Sequence, residues 1–124
     1  MIYVVIDGDD IGRKLASCYL SNRVDDLKAT KDLVDLTTQH ISDLLLRLGY
    51  EVFFCAADGV TGALKVEKID VGALYQEIEN IAGDELAFSV GVGKSLREAY
   101  VALLYAKSTG KGRACEYSSI GSNV

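Results

Sequence analysis

With 124 residues, 49% of them apolar, the chain holds material for one domain around one core and none for a second. A formal net charge of −5 excludes a nonspecific nucleic-acid binder, whose affinity comes from a basic face, and no apolar run approaches the ~20 residues that cross a bilayer. The widely spaced Cys18, Cys55 and Cys115 exclude a disulfide framework and a paired zinc site; with no basic leader after Met1, an unprocessed cytoplasmic protein is expected, without membrane contact or direct nucleic-acid binding.

Ile2-Tyr3-Val4-Val5-Ile6 is short, β-branched and continuously apolar, the signature of a central strand buried on both faces. After the acidic turn Asp7-Gly8-Asp9-Asp10, residues 11–20 read as a short helix that Ser21-Asn22 breaks. From Asp25 to Leu48, Leu27, Leu33, Leu36, His40/Ile41, Leu44, Leu45 and Leu48 recur at three- and four-residue steps before a glycine C-cap at Gly49, which predicts a long amphipathic helix. His40, the only histidine, reads there as a partly buried packing residue, so neither a Ser-His-Asp nor a Cys-His centre has its base. Residues 50–55 and 60–66 are strand-like runs at hairpin spacing. Asp70 caps a helix through Ala82 that Gly83 closes, and residues 86–92 return as a strand. Ser95 caps a further helix carrying Leu96, Ala99, Tyr100, Leu103, Leu104 and Lys107, and a last strand runs over about residues 114–118.

The order β–α(α)–β–β–α–β–α–β predicts an α+β fold with a ferredoxin-like βαββαβ core, helices on one face of an antiparallel sheet, and an extra C-terminal helix and strand. In that topology the end of the first strand lies beside the hairpin turn, so Asp7 and Asp58 are expected to be neighbours. Carboxylates held at rigid strand ends suit Mg²⁺, which takes oxygen ligands and completes its octahedron with phosphate oxygens.

Asp10, at a strand-to-helix junction, reads as an N-cap. Asp7, at the end of a buried strand, is costly to desolvate without a cation and reads as a ligand, and Asp9 lies between these two cases. Asp58 alone is an ordinary Asp-Gly turn residue; its predicted position beside Asp7 reverses that reading. Between Lys94 and Arg113 stand five cations and one anion, a local +4 in an otherwise acidic chain. Lys107, Lys111 and Arg113, around Ser108-Thr109-Gly110, suit a triphosphate tail. Gly91-Val92-Gly93-Lys94-Ser95 imitates the end of a P-loop, but Phe88 occupies the place of the required first glycine, so Lys94 is at most an auxiliary phosphate contact.

These pieces resemble the palm-type nucleotidyl cyclases: GGDEF-class diguanylate cyclases, the polymerase-cyclase palm of type III CRISPR large subunits and, most closely, stand-alone minimal CRISPR polymerases. Val5-Ile6-Asp7-Gly8-Asp9-Asp10-Ile11-Gly12 is similar to the first metal-binding strand, and Phe88-Ser89-Val90-Gly91-Val92 with the segment Leu104 to Arg113 to the closing strand and lysine-bearing helix. The resemblance spans Ile2 to Tyr117 and implies a palm in which Asp7 and Asp58 ligate Mg²⁺, with Mn²⁺ as the alternative. Gly8 would offer a carbonyl, Asp9 would lie at the substrate, and Lys107, with Lys111 and Arg113, would hold the triphosphate.

The implied activity joins nucleoside triphosphates, ATP foremost, into a cyclic di- or oligonucleotide messenger with release of pyrophosphate. The implied setting is antiviral defence, with a separate effector sensing the product; joining nucleotides head to tail needs two facing sites or rebinding of a linear intermediate, so a homodimer is expected. The hairpin Ala56-Ala57-Asp58-Gly59 stands where those families have two glycines and two acids, Leu15 falls near their base-reading asparagine, and no Arg-x-x-Asp precedes the hairpin. The altered hairpin keeps a rival reading open, a catalytically inactive palm that binds a nucleotide or a partner as a regulatory module.

Overall fold

The structure, a computed structural model, describes residues 1–121, so positions 122–124 of the expected single domain lie outside the described residues. Five strands, β1 (Ile2–Gly8), β2 (Glu51–Ala56), β3 (Gly59–Leu64), β4 (Phe88–Gly93) and β5 (Ala114–Glu116), form one sheet in the order β2-β3-β1-β4-β5. Four helices, α1 (Ile11–Leu20), α2 (Val24–Arg47), α3 (Val71–Ala82) and α4 (Leu96–Ser108), complete a ferredoxin-like palm. The first four strands pair antiparallel; β5 adds parallel to β4, which makes the sheet mixed. The last strand stops at Glu116, two residues short of the expected end, because Tyr117–Ser119 turn into a 3-10 helix.

The core βαββαβ helices α2 and α3 share one face of the sheet. There Ile2, Val4 and Ile6 of β1 and Val90 and Val92 of β4 meet Ile41 and Leu45 of α2 and Leu74 and Ile78 of α3. The added α4 takes the opposite face, where Gly91 and Gly93 let its backbone lie directly on β4. Its start is capped by two side chains: Ser95 Oγ accepts from Glu98 N at 3.1 Å, and Glu98 Oε1 accepts from Lys94 N, one residue before the cap, at 3.0 Å. Asp70 caps α3 by accepting from Ala73 N at 3.0 Å, as its position predicts.

Three expectations change. β1 is central but fully buried on one face only, since Tyr3, Val5 and Asp7 remain half-exposed where α4 does not reach across to β3. On α2 the buried stripe runs through Val34, Thr37, Thr38, Ile41, Ser42, Leu44 and Leu45, while Leu36, His40 and Leu48 are exposed. Small polar residues take the sheet side because they let the helix approach the hairpin, and the Cys55 thiol reaches Thr38 O at 4.0 Å. His40 is therefore a surface residue. Lys94 lies at the wrong end for a phosphate contact: Gly93 pairs with Tyr3, whereas Asp7 pairs with Ser89.

Candidate active site

Register brings the two acidic segments together. Asp7 lies opposite Gly59 on β3 and Ser89 on β4, and Gly8 N donates to Asp58 O at 3.0 Å, so the hairpin turn is tied to the end of β1. The turn is tighter than the four-residue link expected, leaving Ala57 and Asp58 between the strands, with Ala57 at φ 51 where L residues are rarely found. Gly8 must be glycine: a Cβ there would stand 2.6 Å from Ile11 Cγ1 and 3.1 Å from Asp58 Oδ2. The Asp58 carboxylate therefore folds over the Gly8 backbone, near Asp7, and makes no hydrogen bond or ion pair with any described residue.

Lys107, on the last turn of α4, reaches into this acidic centre. Its Nζ donates to Gly8 O at 2.8 Å and stands 3.1 Å from Asp7 Oδ2 and 3.1 Å from Asp9 Oδ1. Burial pushes the Asp7 carboxyl above its ordinary range, with the charges of Asp58 and Asp9 adding to the rise and Lys107 opposing it. Burial pulls the Lys107 ammonium down, but hydrogen bonds to Asp7 and Asp9 and their charges outweigh it, so its pKa is raised.

Asp9, which the sequence leaves between ligand and cap, is buried. Ser89 Oγ donates to both its oxygens at 2.8 and 3.0 Å, Gly112 N donates to Oδ2 at 2.8 Å, and Lys107 completes the set. A buried carboxylate with protein donors on both oxygens is a structural node: it joins β1, β4, α4 and the loop after α4. Ser89 and the Gly112 amide are functional neighbours that sequence reasoning missed. The available signal was Ser89 itself, a hydroxyl in a strand otherwise wholly apolar, which has to find a buried partner.

Asp10 occupies the N-cap position of α1, yet its side chain accepts no cap bond, and its backbone is left-handed at φ 58. It turns instead to Lys111 Nζ at 2.7 Å and Arg13 at 3.7 Å, and the hydrogen bond to Lys111 holds its carboxyl below the ordinary range. Lys111, also left-handed at φ 59, thus borders the centre through Asp10. Arg113 is not brought in: its guanidinium donates to Thr109 O at 3.2 Å and Thr109 Oγ1 at 2.8 Å, closing the end of α4. Beside Asp10, between α1 and the start of α2, opens a cavity of about 510 Å³ lined by Arg13, Lys14, Ser17, Arg23 and Asp26 among others.

The donors present fit a magnesium ion. The Asp7 carboxylate and the Gly8 carbonyl both contact the Lys107 ammonium, and the unpartnered Asp58 carboxylate is near enough for its charge to raise the Asp7 pKa. Among the described residues no group of three or more His, Cys, Asp or Glu converges as a metal site, so the remaining ligands would be water and phosphate oxygens. The family model described as the minimal CRISPR polymerase domain matches residues 3–117 of the chain. No curated protein matches it.

Proposed function

The chain belongs to the minimal CRISPR polymerase family, a polymerase- and cyclase-like group, and from that premise we propose that it is an Mg²⁺-dependent nucleotidyl cyclase. It joins nucleoside triphosphates, ATP foremost, into a cyclic di- or oligonucleotide messenger, releases pyrophosphate, and acts in antiviral signalling through a separate effector. The observation that carries this reading is Lys107 seated on Asp7 and the Gly8 carbonyl, with the hairpin turn tied to Gly8 so that the Asp58 charge acts on Asp7.

Asp7, Asp58 and Gly8 O would hold Mg²⁺, which when bound neutralises phosphate oxygens and lowers the pKa of an attacking 3′-hydroxyl. Lys107 offsets charge on the triphosphate and positions it in line, and Asp9 fixes the lysine from below. Lys111 reaches the phosphates from the Asp10 side. The open groove between α1 and α2 would receive the nucleoside. Incubating the protein with each labelled triphosphate and Mg²⁺, then resolving products by mass spectrometry, tests the reading. Cyclic product with pyrophosphate is expected; nucleotide binding without pyrophosphate release would instead establish the inactive regulatory palm.

Joining two nucleotides head to tail calls for two facing sites or rebinding of a linear intermediate, and an apolar surface beside Asp7 supports the first. Phe53, in ring contact with Tyr3 at 6.4 Å, and Phe54 are exposed on β2. The exposed Tyr100 and Leu104 precede Lys107 by about two turns and one turn, so they share its flank of α4. A second copy seated there would place two acidic centres face to face. Phe54→Asp is therefore expected to shift the protein to monomer in light scattering and to lower cyclic product at least tenfold. An equally active monomer would remove the dimer from the mechanism.

A further inference from the structure

The position of Lys107 is not that of a group waiting for phosphate. Its ammonium sits among Gly8 O, Asp7 Oδ2 and Asp9 Oδ1, at 2.8 to 3.1 Å, and two of these three oxygens belong to the residues proposed to hold the metal. A cation so placed satisfies the Gly8 carbonyl and neutralises Asp7. It also repels any second cation brought to the same oxygens, because like charges at a few ångströms interact strongly in a partly desolvated site. The third oxygen differs in kind. Asp9 is buried and held by Ser89 and Gly112, so its contact with the lysine does not depend on what occupies Asp7.

We propose that the Lys107 ammonium is the resident counter-ion of the acidic centre, that a divalent cation and Lys107 exclude one another there, and that Asp9 is the pivot that retains the lysine once it leaves Asp7 and Gly8. The inference rests on the metal-dependent reading above and adds an order to it. The triphosphate draws Lys107 off the acids while its oxygens complete the metal's ligands, so metal and nucleotide enter together. Metal alone binds weakly, and the free protein does not hold a loaded centre.

Binding of Mn²⁺ in the absence of nucleotide, followed by electron paramagnetic resonance, tests this without reference to turnover. Wild type is expected to bind Mn²⁺ weakly, Lys107→Met at least tenfold more tightly, and wild type with a non-hydrolysable triphosphate analogue as tightly as the variant. Lys107→Gln, with a different length and polarity, guards against a packing effect of Met, and a thermal melt establishes that each variant is folded. Adding Asp7→Asn to Lys107→Met should abolish the gain and so locate the ion. Equal Mn²⁺ affinity of wild type and both folded Lys107 variants would overturn the exchange while leaving the cyclase reading intact. Tight Mn²⁺ binding by Lys107→Met that depends on Asp7 would support it even in a protein that released no pyrophosphate. Absence of bound Mn²⁺ in every protein, with nucleotide present, would overturn the exchange together with the metal reading.

Discussion

Asp7→Asn and Asp58→Asn are each expected to lower nucleotide joining by about a thousandfold or more, on the order of 4 kcal/mol of transition-state stabilisation, without unfolding the protein. The size follows from what these carboxylates do in the proposed reaction: with either charge gone, the centre holds one carboxylate and a carbonyl for its cation. The stability outcome separates a functional acid from a structural one. The Asp58 carboxylate has no hydrogen bond or ion pair to lose among the described residues, and it raises the pKa of Asp7 by its charge. Asp7 is raised above its ordinary value of 3.8 chiefly by burial, so its charged form is disfavoured in the folded protein.

The sign of the pH effect follows. A raised carboxylate destabilises the fold fully above its folded pKa, and that penalty disappears as pH falls below the unfolded value. Asp7→Asn should therefore melt at or above the wild-type temperature at neutral pH, and the difference should shrink as pH is lowered toward 4. Thermal melts of both proteins across that range, beside the product assay, check both halves. A fully active Asp58→Asn protein would remove Asp58 from the centre; an Asp7→Asn protein that unfolds at neutral pH would make Asp7 structural.

Gly91→Ala is expected to cost about 3 kcal/mol or more, at the upper end for overpacking by a single methyl. A Cβ at position 91 would collide with the Ala99 carbonyl and the Leu103 amide nitrogen and stand 2.8 Å from Leu103 Cα. All three are backbone atoms in the middle of α4, so no rotamer change relieves the clash, and the helix must lift off β4. Gly93 reinforces the constraint, since a Cβ there would stand 2.7 Å from Ala99 N. The lift would also withdraw Lys107 from Asp7 and Asp9, so activity should fall with stability. Gly12→Ala is the matched control: it lies in α1 with nothing within 4 Å of its added Cβ, and replacing a helical glycine should stabilise by about 0.5–1 kcal/mol. Urea denaturation of the two variants reads both effects, and a Gly91→Ala protein as stable as wild type would refute the close approach of α4.

Periodicity over Ile2 to Ile6, the caps at Asp70 and Ser95, and the spacing of the hairpin runs are local signals, each encoded in a few neighbouring residues. They were enough to place every strand and helix within two or three residues and to derive the βαββαβ order. The buried face of α2 is legible at Ile41, Leu44 and Leu45, but its full width is not local. Leu36 and Leu48 fit the periodic stripe, but the sheet side is taken by Thr37, Thr38 and Ser42, because hairpin and helix pack more closely on small side chains.

The element order is legible in the chain alone, and through it the nearness of Asp7 to Asp58, because strand adjacency in this topology follows from the succession of elements and from register. It also marked Lys107, by its place on the last helix. What each charge faces is fixed by packing in three dimensions. Asp9 turns inward to Ser89 and Gly112, Asp10 turns to Lys111 in place of capping its helix, and Arg113 turns back on Thr109. Lys107 stands among the acids themselves. The physical reason is that a side chain's partner depends on burial and on donors brought in from more than a hundred residues away, and neither is written in its neighbours along the chain.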